Sequence, residues 1–184
     1  MKVTIKKLLK KKNKSKIICL TAYSKIIAQR IDRFCDLILV GDSLANIIYG
    51  MKNTHSIDLT TMINHAISVR KGVKKSLLVV DMPKGSYDNL KEAKKNAKLI
   101  ITKTKCDAIK IENRKKNHKI IKCLTKINIP VMGHIGYTPQ FKRFKIEGQT
   151  KKETNKLLQE AKLIEKAGAF SIVLECLTPA SAKL

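Results

Sequence analysis

The stretch Leu37–Ser43, LILVGDS, constrains the fold of this chain more than any other. Four apolar residues run straight into a glycine, then Asp42 and Ser43. A short continuous apolar run reads as a strand buried on both faces, the mark of a parallel sheet. It delivers a carboxylate at its C-terminal end. The pattern recurs down the chain. Leu77–Asp81 (LLVVD) ends on Asp81 and Ala108–Glu112 (AIKIE) ends on Glu112. Pro130–His134 (PVMGH) ends on His134, and Phe170–Glu175 (FSIVLE) ends on Glu175. Five apolar strands, each closing on a group that can bind a metal or move a proton, point to one rim and one site.

Helical patterns fill the intervals. Ile17–Thr21 reads as a first strand. Ala22–Phe34 reads as a helix with Ile26, Ile27, Ala28, Ile31 and Phe34 on one face. After Ser43 a loop runs to Ser56. Asp58 or Thr60 caps the next helix, which runs to about Lys71 and stops at Gly72. Asn89–Thr104 is amphipathic, with Leu90, Ala93, Ala97 and Ile100 inside. Lys115–Lys126 is a further helix, and Gly133–Gln140 (GHIGYTPQ) opens a loop to Gln149. Thr150–Ala167 is a helix ended by Gly168, with Leu157, Leu158, Ala161, Ile164 and Ala167 inward. Thr178–Leu184 starts another.

Strict β-α alternation gives an α/β fold with a parallel sheet and right-handed crossovers. Polar groups on successive strand ends favour a (βα)8 TIM barrel over a doubly wound sheet, which concentrates its site at one switch point. No G-x-G-x-x-G turn follows the first strand. Six strands are predicted where a barrel has eight, and barrels run to about 250 residues. The expectation is therefore one barrel domain over residues 1–184, truncated after strand 6. Residues 1–16 form a basic N-terminal segment, read either as a docking helix (Val3, Ile5, Leu8 and Leu9 inward) or as a loose arm.

Composition narrows the function classes. The net charge is +25, but 34 of the 39 basic residues are lysine. Arginine, the preferred reader of bases and phosphates, is scarce, and aromatics are only 4%, too few for a stacking platform. A solvated lysine coat is preferred to a nucleic-acid partner. The five cysteines are scattered, with no C-x-x-C pair, which suggests neither a zinc site nor a disulfide framework. The N-terminus has no apolar core of a secretory signal, and no run reaches membrane length. A cytoplasmic protein is expected.

Asp42, Asp81 and Glu112 form an all-oxygen set on three consecutive strand ends, which suits a hard cation, Mg²⁺ above all. Lys110 shares the strand face of Glu112 and could bind an anionic group. Ser43 can hydrogen-bond a substrate carboxylate. His134 could orient a substrate oxygen or be structural; spacing does not separate the two. Glu175, partly buried after an apolar run, could serve as general base. Together these suit a small α-keto acid, whose oxygens Mg²⁺ would chelate while stabilising the enolate left by proton removal.

The segments Leu20–Tyr23 (LTAY), Val40–Leu44 (VGDSL), Asp81–Tyr87 (DMPKGSY), Ile109–Glu112 (IKIE), Gly133–Gln140 (GHIGYTPQ) and Val173–Cys176 (VLEC) occur in an order that resembles the ketopantoate (3-methyl-2-oxobutanoate) hydroxymethyltransferase family. The resemblance implies a Mg²⁺-dependent (βα)8 barrel. It implies transfer of a hydroxymethyl group from the co-substrate 5,10-methylenetetrahydrofolate to 3-methyl-2-oxobutanoate, giving 2-dehydropantoate for pantothenate biosynthesis. By motif, Asp42, Asp81 and Glu112 would surround the metal. Asp42, Ser43, Asp81, Lys110 and His134 would meet the keto acid, and Glu175 would accept the proton. A ring-like homo-oligomer, a decamer in the family, is also implied. The chain departs from the family pattern at Ala45 and Asn113-Arg114, where glycines are usual, at Lys84 for Phe and at Tyr137 for Leu. Other readings are a related Mg²⁺ barrel of the isocitrate lyase or phosphoenolpyruvate mutase type, an inactive or fragmentary homologue, and a nucleic-acid-binding protein.

Overall fold

In a computed structural model, residues 2–114 and 117–183 are described. The chain divides into two compact units, Met1–Ile109 and Lys110–Leu184. Strand β4, Ala108–Glu112, carries the chain from one to the other.

In the first unit the strands are β1 (Cys19–Thr21), β2 (Leu37–Val40) and β3 (Leu77–Asp81). They pair in parallel in chain order, with Cys19 opposite Leu37 and Val40 opposite Val80. Continued by one residue, that register sets Gly41 beside Asp81, so Asp42 leaves β2 one residue beyond the level of Asp81 on the neighbouring strand. All five residues of β3 are buried. Each of its four apolar side chains contributes about 1.5–3 kcal/mol by leaving water, which explains the unbroken Leu-Leu-Val-Val run.

The helices are α1 (Ile5–Lys11), α2 (Lys25–Ile31), α3 (Leu44–Ile47), α4 (Leu59–Gly72) and α5 (Leu90–Thr104). Except at α3, where Ser43 makes no side-chain capping bond, their N-caps are hydroxyl, carboxylate or amide side chains that satisfy orphan backbone donors. Thr4 caps α1, Ser24 caps α2 and Asn89 caps α5. At α4 the cap is Asp58, which accepts from the Thr61 N–H at 2.7 Å. The N-terminal segment is docked rather than loose. Val3 and Leu8 are buried, and the Val3 N–H donates to the Lys75 carbonyl at 2.7 Å, but Ile5 is only part-buried and Leu9, expected inward, is exposed.

Several expectations need correction here. Residues 44–56 are not all loop, since α3 and a 3-10 turn at Thr54–Ser56 lie within them. The apolar face drawn for α2 is mostly outside. Ala28 is fully buried, yet Ile26 is 69% exposed, Ile27 51% and Phe34 60%. The reason is a close approach of α2 to α4. A Cβ at Gly72 would collide with the Lys25 carbonyl oxygen and crowd Ala28. Small residues let the two backbones meet and leave the bulky ones outside. Gly72 is thus required for packing, and it is not a left-handed helix stop. Leu90, expected inside, is half exposed in the first turn of α5, while Ala93, Ala97 and Ile100 are buried as drawn.

In the second unit β5 (Val131–Gly136) and β6 (Ser171–Glu175) pair in parallel, with His134 opposite Val173 and Gly136 opposite Glu175. The Asn113 N–H, just past β4, donates to the His134 carbonyl at 2.8 Å. Strand β5 is longer than the Pro130–His134 run suggested, because Ile135 and Gly136 stay in the ladder. Helix α6 covers Asn117–Thr125; the first two residues of the predicted Lys115–Lys126 helix lie outside the described residues. Helix α7 (Lys151–Lys166) is capped by Thr150, buries Leu157 and Ile164, and leaves Leu158 and Ala161 part-buried. Helix α8 (Pro179–Ala182) begins at the Thr178 cap; Leu184 and Met1 lie outside the described residues. Among the described residues no helix is long and apolar enough to cross a membrane.

Candidate active site

In the first unit the ends of β2 and β3 form a buried polar corner. Asp42 is 3% exposed and Asp81 is 2% exposed. Burying two carboxylates in an acid-poor chain costs several kcal/mol each unless partners compensate. One partner is the Asp42 backbone N–H, which donates to Asp81 Oδ2 at 3.1 Å. Ser43 starts α3, and its Oγ lies 2.8 Å from the Tyr23 hydroxyl. The loop after Asp81 is folded in on itself. Met82 and Tyr87 are buried, Ser86 Oγ donates to the Pro83 carbonyl at 2.6 Å, and Asn96 Nδ2 donates to the Ser86 carbonyl at 2.7 Å.

In the second unit β4, β5 and β6 bring Glu112, His134 and Glu175 together. Glu112 and His134 are each 1% exposed. His134 Nδ1 lies 3.7 Å from Glu112 Oε1, and its Nε2 lies 3.1 Å from Glu175 Oε2. The other Glu112 oxygen, Oε2, accepts from the Gln140 backbone N–H at 3.1 Å. Lys110, two residues before Glu112 on the same strand face, is 5% exposed. The Glu175 side chain keeps 40% of its exposure. A part-exposed carboxylate with one oxygen beside a buried imidazole is placed where a general base could act.

Gly136 secures this corner. Its φ is +92°, and a Cβ there would run into the Glu175 carbonyl. The next residue, Tyr137, donates its N–H to that carbonyl at 2.9 Å. Burial, followed by the charges of Glu175 and Glu112, pushes the Tyr137 phenol above its usual pKa.

Sequence reasoning selected Asp42, Ser43 and Asp81 in one unit, and Lys110, Glu112, His134 and Glu175 in the other. It assigned no role to the Tyr23 hydroxyl or the Gln140 backbone N–H. Tyr23 carried a signal, since it lies within the LTAY segment; a backbone donor carries none. Among the described residues no group of three or more His, Cys, Asp or Glu side chains is assembled as a metal site. Within the first unit Asp42 and Asp81, and within the second Glu112, are buried carboxylates, and each taken by itself is the kind of oxygen donor that a hard divalent cation takes.

The ketopantoate hydroxymethyltransferase family model matches residues 2–184. The chain belongs to the ketopantoate hydroxymethyltransferase family. It is 57% identical over 176 residues to the 3-methyl-2-oxobutanoate hydroxymethyltransferase of Pelagibacter ubique strain HTCC1062, covering 95% of this chain and 68% of that protein. It is 45% identical over 180 residues to 3-methyl-2-oxobutanoate hydroxymethyltransferase 2 of Zymomonas mobilis subsp. mobilis strain ATCC 31821 / ZM4 / CP4, covering 95% and 66%. The chain thus spans about two thirds of the length of these relatives. Its fold is similar to that of 2,3-dimethylmalate lyase, a PEP mutase/isocitrate lyase superfamily member. The TM-score is 0.70 at 15% identity, covering 100% of this chain and 65% of that one. The fold is therefore shared with that superfamily, while the sequence aligns with the hydroxymethyltransferases.

The departures from the family pattern lie on these same elements. Ala45 is fully buried in α3. Lys84 Nζ sits 3.2 Å from His55 Nδ1. Asn113 is buried, and the Arg114 guanidinium lies over the Phe141 ring, 5.0 Å from its centroid. Tyr137 packs edge-on against Phe144 at 5.4 Å.

Proposed function

We propose that this chain transfers a hydroxymethyl group from 5,10-methylenetetrahydrofolate to 3-methyl-2-oxobutanoate, giving 2-dehydropantoate in pantothenate biosynthesis. The observation that carries this is the 57% identity over 95% of the chain to a relative named for that activity. The grouping of Glu112, His134 and Glu175 supports it from the side of chemistry.

In this reading Glu175 takes the proton from the carbon beside the keto group, and His134 holds the carboxylate in position. The carbanion so formed attacks the methylene carbon of the folate. One new C–C bond forms, both methylene–nitrogen bonds break, water supplies the hydroxyl, and the proton taken by Glu175 and one proton of that water end on the two folate nitrogens. Ser43 and Lys110 bind the substrate carboxylate, with Asp42, Asp81 and His134 lining the remainder. Asp42, Asp81 and Glu112 would hold a Mg²⁺ ion, whose positive charge would stabilise charge developing on the substrate oxygens. The six strands correspond to the first six of a single (βα)8 barrel domain. The protein works in the cytoplasm as a ring-like homo-oligomer, an assignment that rests on the family.

The test is product formation. Purified chain, 3-methyl-2-oxobutanoate, 5,10-methylenetetrahydrofolate and Mg²⁺ should yield 2-dehydropantoate by mass spectrometry, and omission of Mg²⁺ should abolish it. No product from a cooperatively folded sample would overturn the proposal.

A further inference from the structure

A histidine outside the residues assigned so far closes a ring of contacts around Ser43. His65 sits on α4, half-buried between the fully buried Met62 and Ala66. Its Nδ1 lies 2.6 Å from the Tyr23 carbonyl oxygen, and its Nε2 lies 3.0 Å from the Tyr49 hydroxyl. A carbonyl oxygen only accepts, so Nδ1 carries a hydrogen. In the neutral ring Nε2 is then the acceptor, and the Tyr49 hydroxyl donates to it. The Tyr49 and His65 rings also meet edge-on, with centroids 5.8 Å apart at 84°.

The two anchored residues belong to different loops. Tyr23 follows β1, and Tyr49 follows α3, the helix that begins after Ser43. The Tyr23 hydroxyl in turn lies 2.8 Å from Ser43 Oγ. The contacts form a circuit: His65 to the Tyr23 backbone, the Tyr23 side chain to Ser43, α3 onward to Tyr49, and Tyr49 back to His65. Helix α4 is itself fixed against α2 through Gly72, so the imidazole stands on a rigid element.

We infer that His65 is a positioning residue, which fixes the Tyr23 hydroxyl and through it the Ser43 hydroxyl for the carboxylate of a small keto acid. The ligand assignment rests on the functional reading above; the positioning itself does not. A hydroxyl whose rotamer is fixed by a partner loses less freedom on binding an anion than one that must be ordered. His65→Phe keeps the aromatic volume and removes both hydrogen bonds, and Tyr49→Phe removes one of them.

The first readout needs no substrate. In NMR spectra of the full chain, His65→Phe should shift the Ser43 amide and Cβ resonances in the direction produced by Tyr23→Phe. The wild-type imidazole should show the Nδ1–H tautomer. Unmoved Ser43 resonances in a folded His65→Phe variant, or an Nε2–H tautomer, would overturn the inference. The second readout is affinity for 3-methyl-2-oxobutanoate by NMR titration. His65→Phe should weaken binding by about three- to tenfold, the worth of one hydrogen bond, and should add nothing in a Ser43→Ala background. Additive losses would mean that His65 acts through some other group and would overturn the positioning role. A wild-type chain that does not bind the keto acid contradicts the functional reading alone, and the Ser43 resonances then decide the matter for His65.

Discussion

Replacing Asp32 with alanine should cost the first unit about 2–6 kcal/mol of stability, through backbone N–H groups that lose the carboxylate they donate to. Asp32 is 7% exposed at the end of α2. Its Oδ2 accepts from the N–H groups of Lys74 at 2.9 Å and Lys75 at 2.8 Å, and its Oδ1 accepts from that of Ser76 at 2.8 Å. These three donors lead directly into β3. Ser76 is fully buried, so its N–H would be left unpaired away from water at about 1–3 kcal/mol. Lys74 and Lys75 are exposed, so water can replace part of the loss there, at about 0.5–1.5 kcal/mol each. Typical domain stabilities are about 5–15 kcal/mol, so the change is large. The assay is urea unfolding at pH 7 followed by far-UV circular dichroism, since the chain has no tryptophan. A pH series adds a second check. Burial alone would raise the Asp32 pKa, but the hydrogen bonds from Ser76, Lys74 and Lys75 outweigh it and hold the carboxyl below its ordinary value. A depressed carboxyl contributes stability that is present above its unfolded pKa of about 3.9 and is lost as pH falls through the folded value. The gap between wild type and Asp32→Ala should therefore be widest at neutral pH and narrow below about pH 4. A gap under about 1 kcal/mol at pH 7, or one that widens on acidification, would refute the reasoning.

Gly136→Ala should destabilise the second unit by about 2 kcal/mol or more, from a left-handed backbone and a Cβ driven into the Glu175 carbonyl; a thermal melt unchanged from wild type would contradict this. Gly72→Ala should lower the melting temperature by separating α2 from α4, and an unchanged or raised melting temperature would show that the helices can give way. Burial pushes the Cys106 thiol up to about 11, so at pH 8 it should resist iodoacetamide in the folded protein and react only in denaturant, as peptide mapping would reveal.

Strands β2 to β5 were legible because burial on both faces leaves continuous apolar runs; β1 is exposed at all three residues and β6 is only part-buried, yet apolar runs marked them too. Leu77–Asp81 and Ala108–Glu112 coincide with β3 and β4 to the residue, and β2, β5 and β6 differ by one or two. Helix faces were less legible. Periodicity placed Ile26, Ile27 and Phe34 inward on α2, but a Gly72–Ala28 contact distant in sequence sets which side can approach α4. Helix α3 has only four residues, too few for a period to show. The selected carboxylates could be found because each ends an apolar run. Their surroundings could not. The Gln140 N–H on Glu112, the Tyr23 hydroxyl on Ser43 and the His65 ring on Tyr23 join residues 20 to 42 positions apart. Nothing in local composition announces those pairings.

Proton exchange tests the proposed chemistry most directly, because it isolates the action of Glu175 from folate binding. The chain would be incubated in D₂O with 3-methyl-2-oxobutanoate and Mg²⁺, and loss of the proton beside the keto group followed by NMR. The account predicts exchange that depends on Mg²⁺ and vanishes in Glu175→Gln. Absence of exchange from a cooperatively folded wild-type sample, or exchange that persists unchanged in Glu175→Gln, would contradict it.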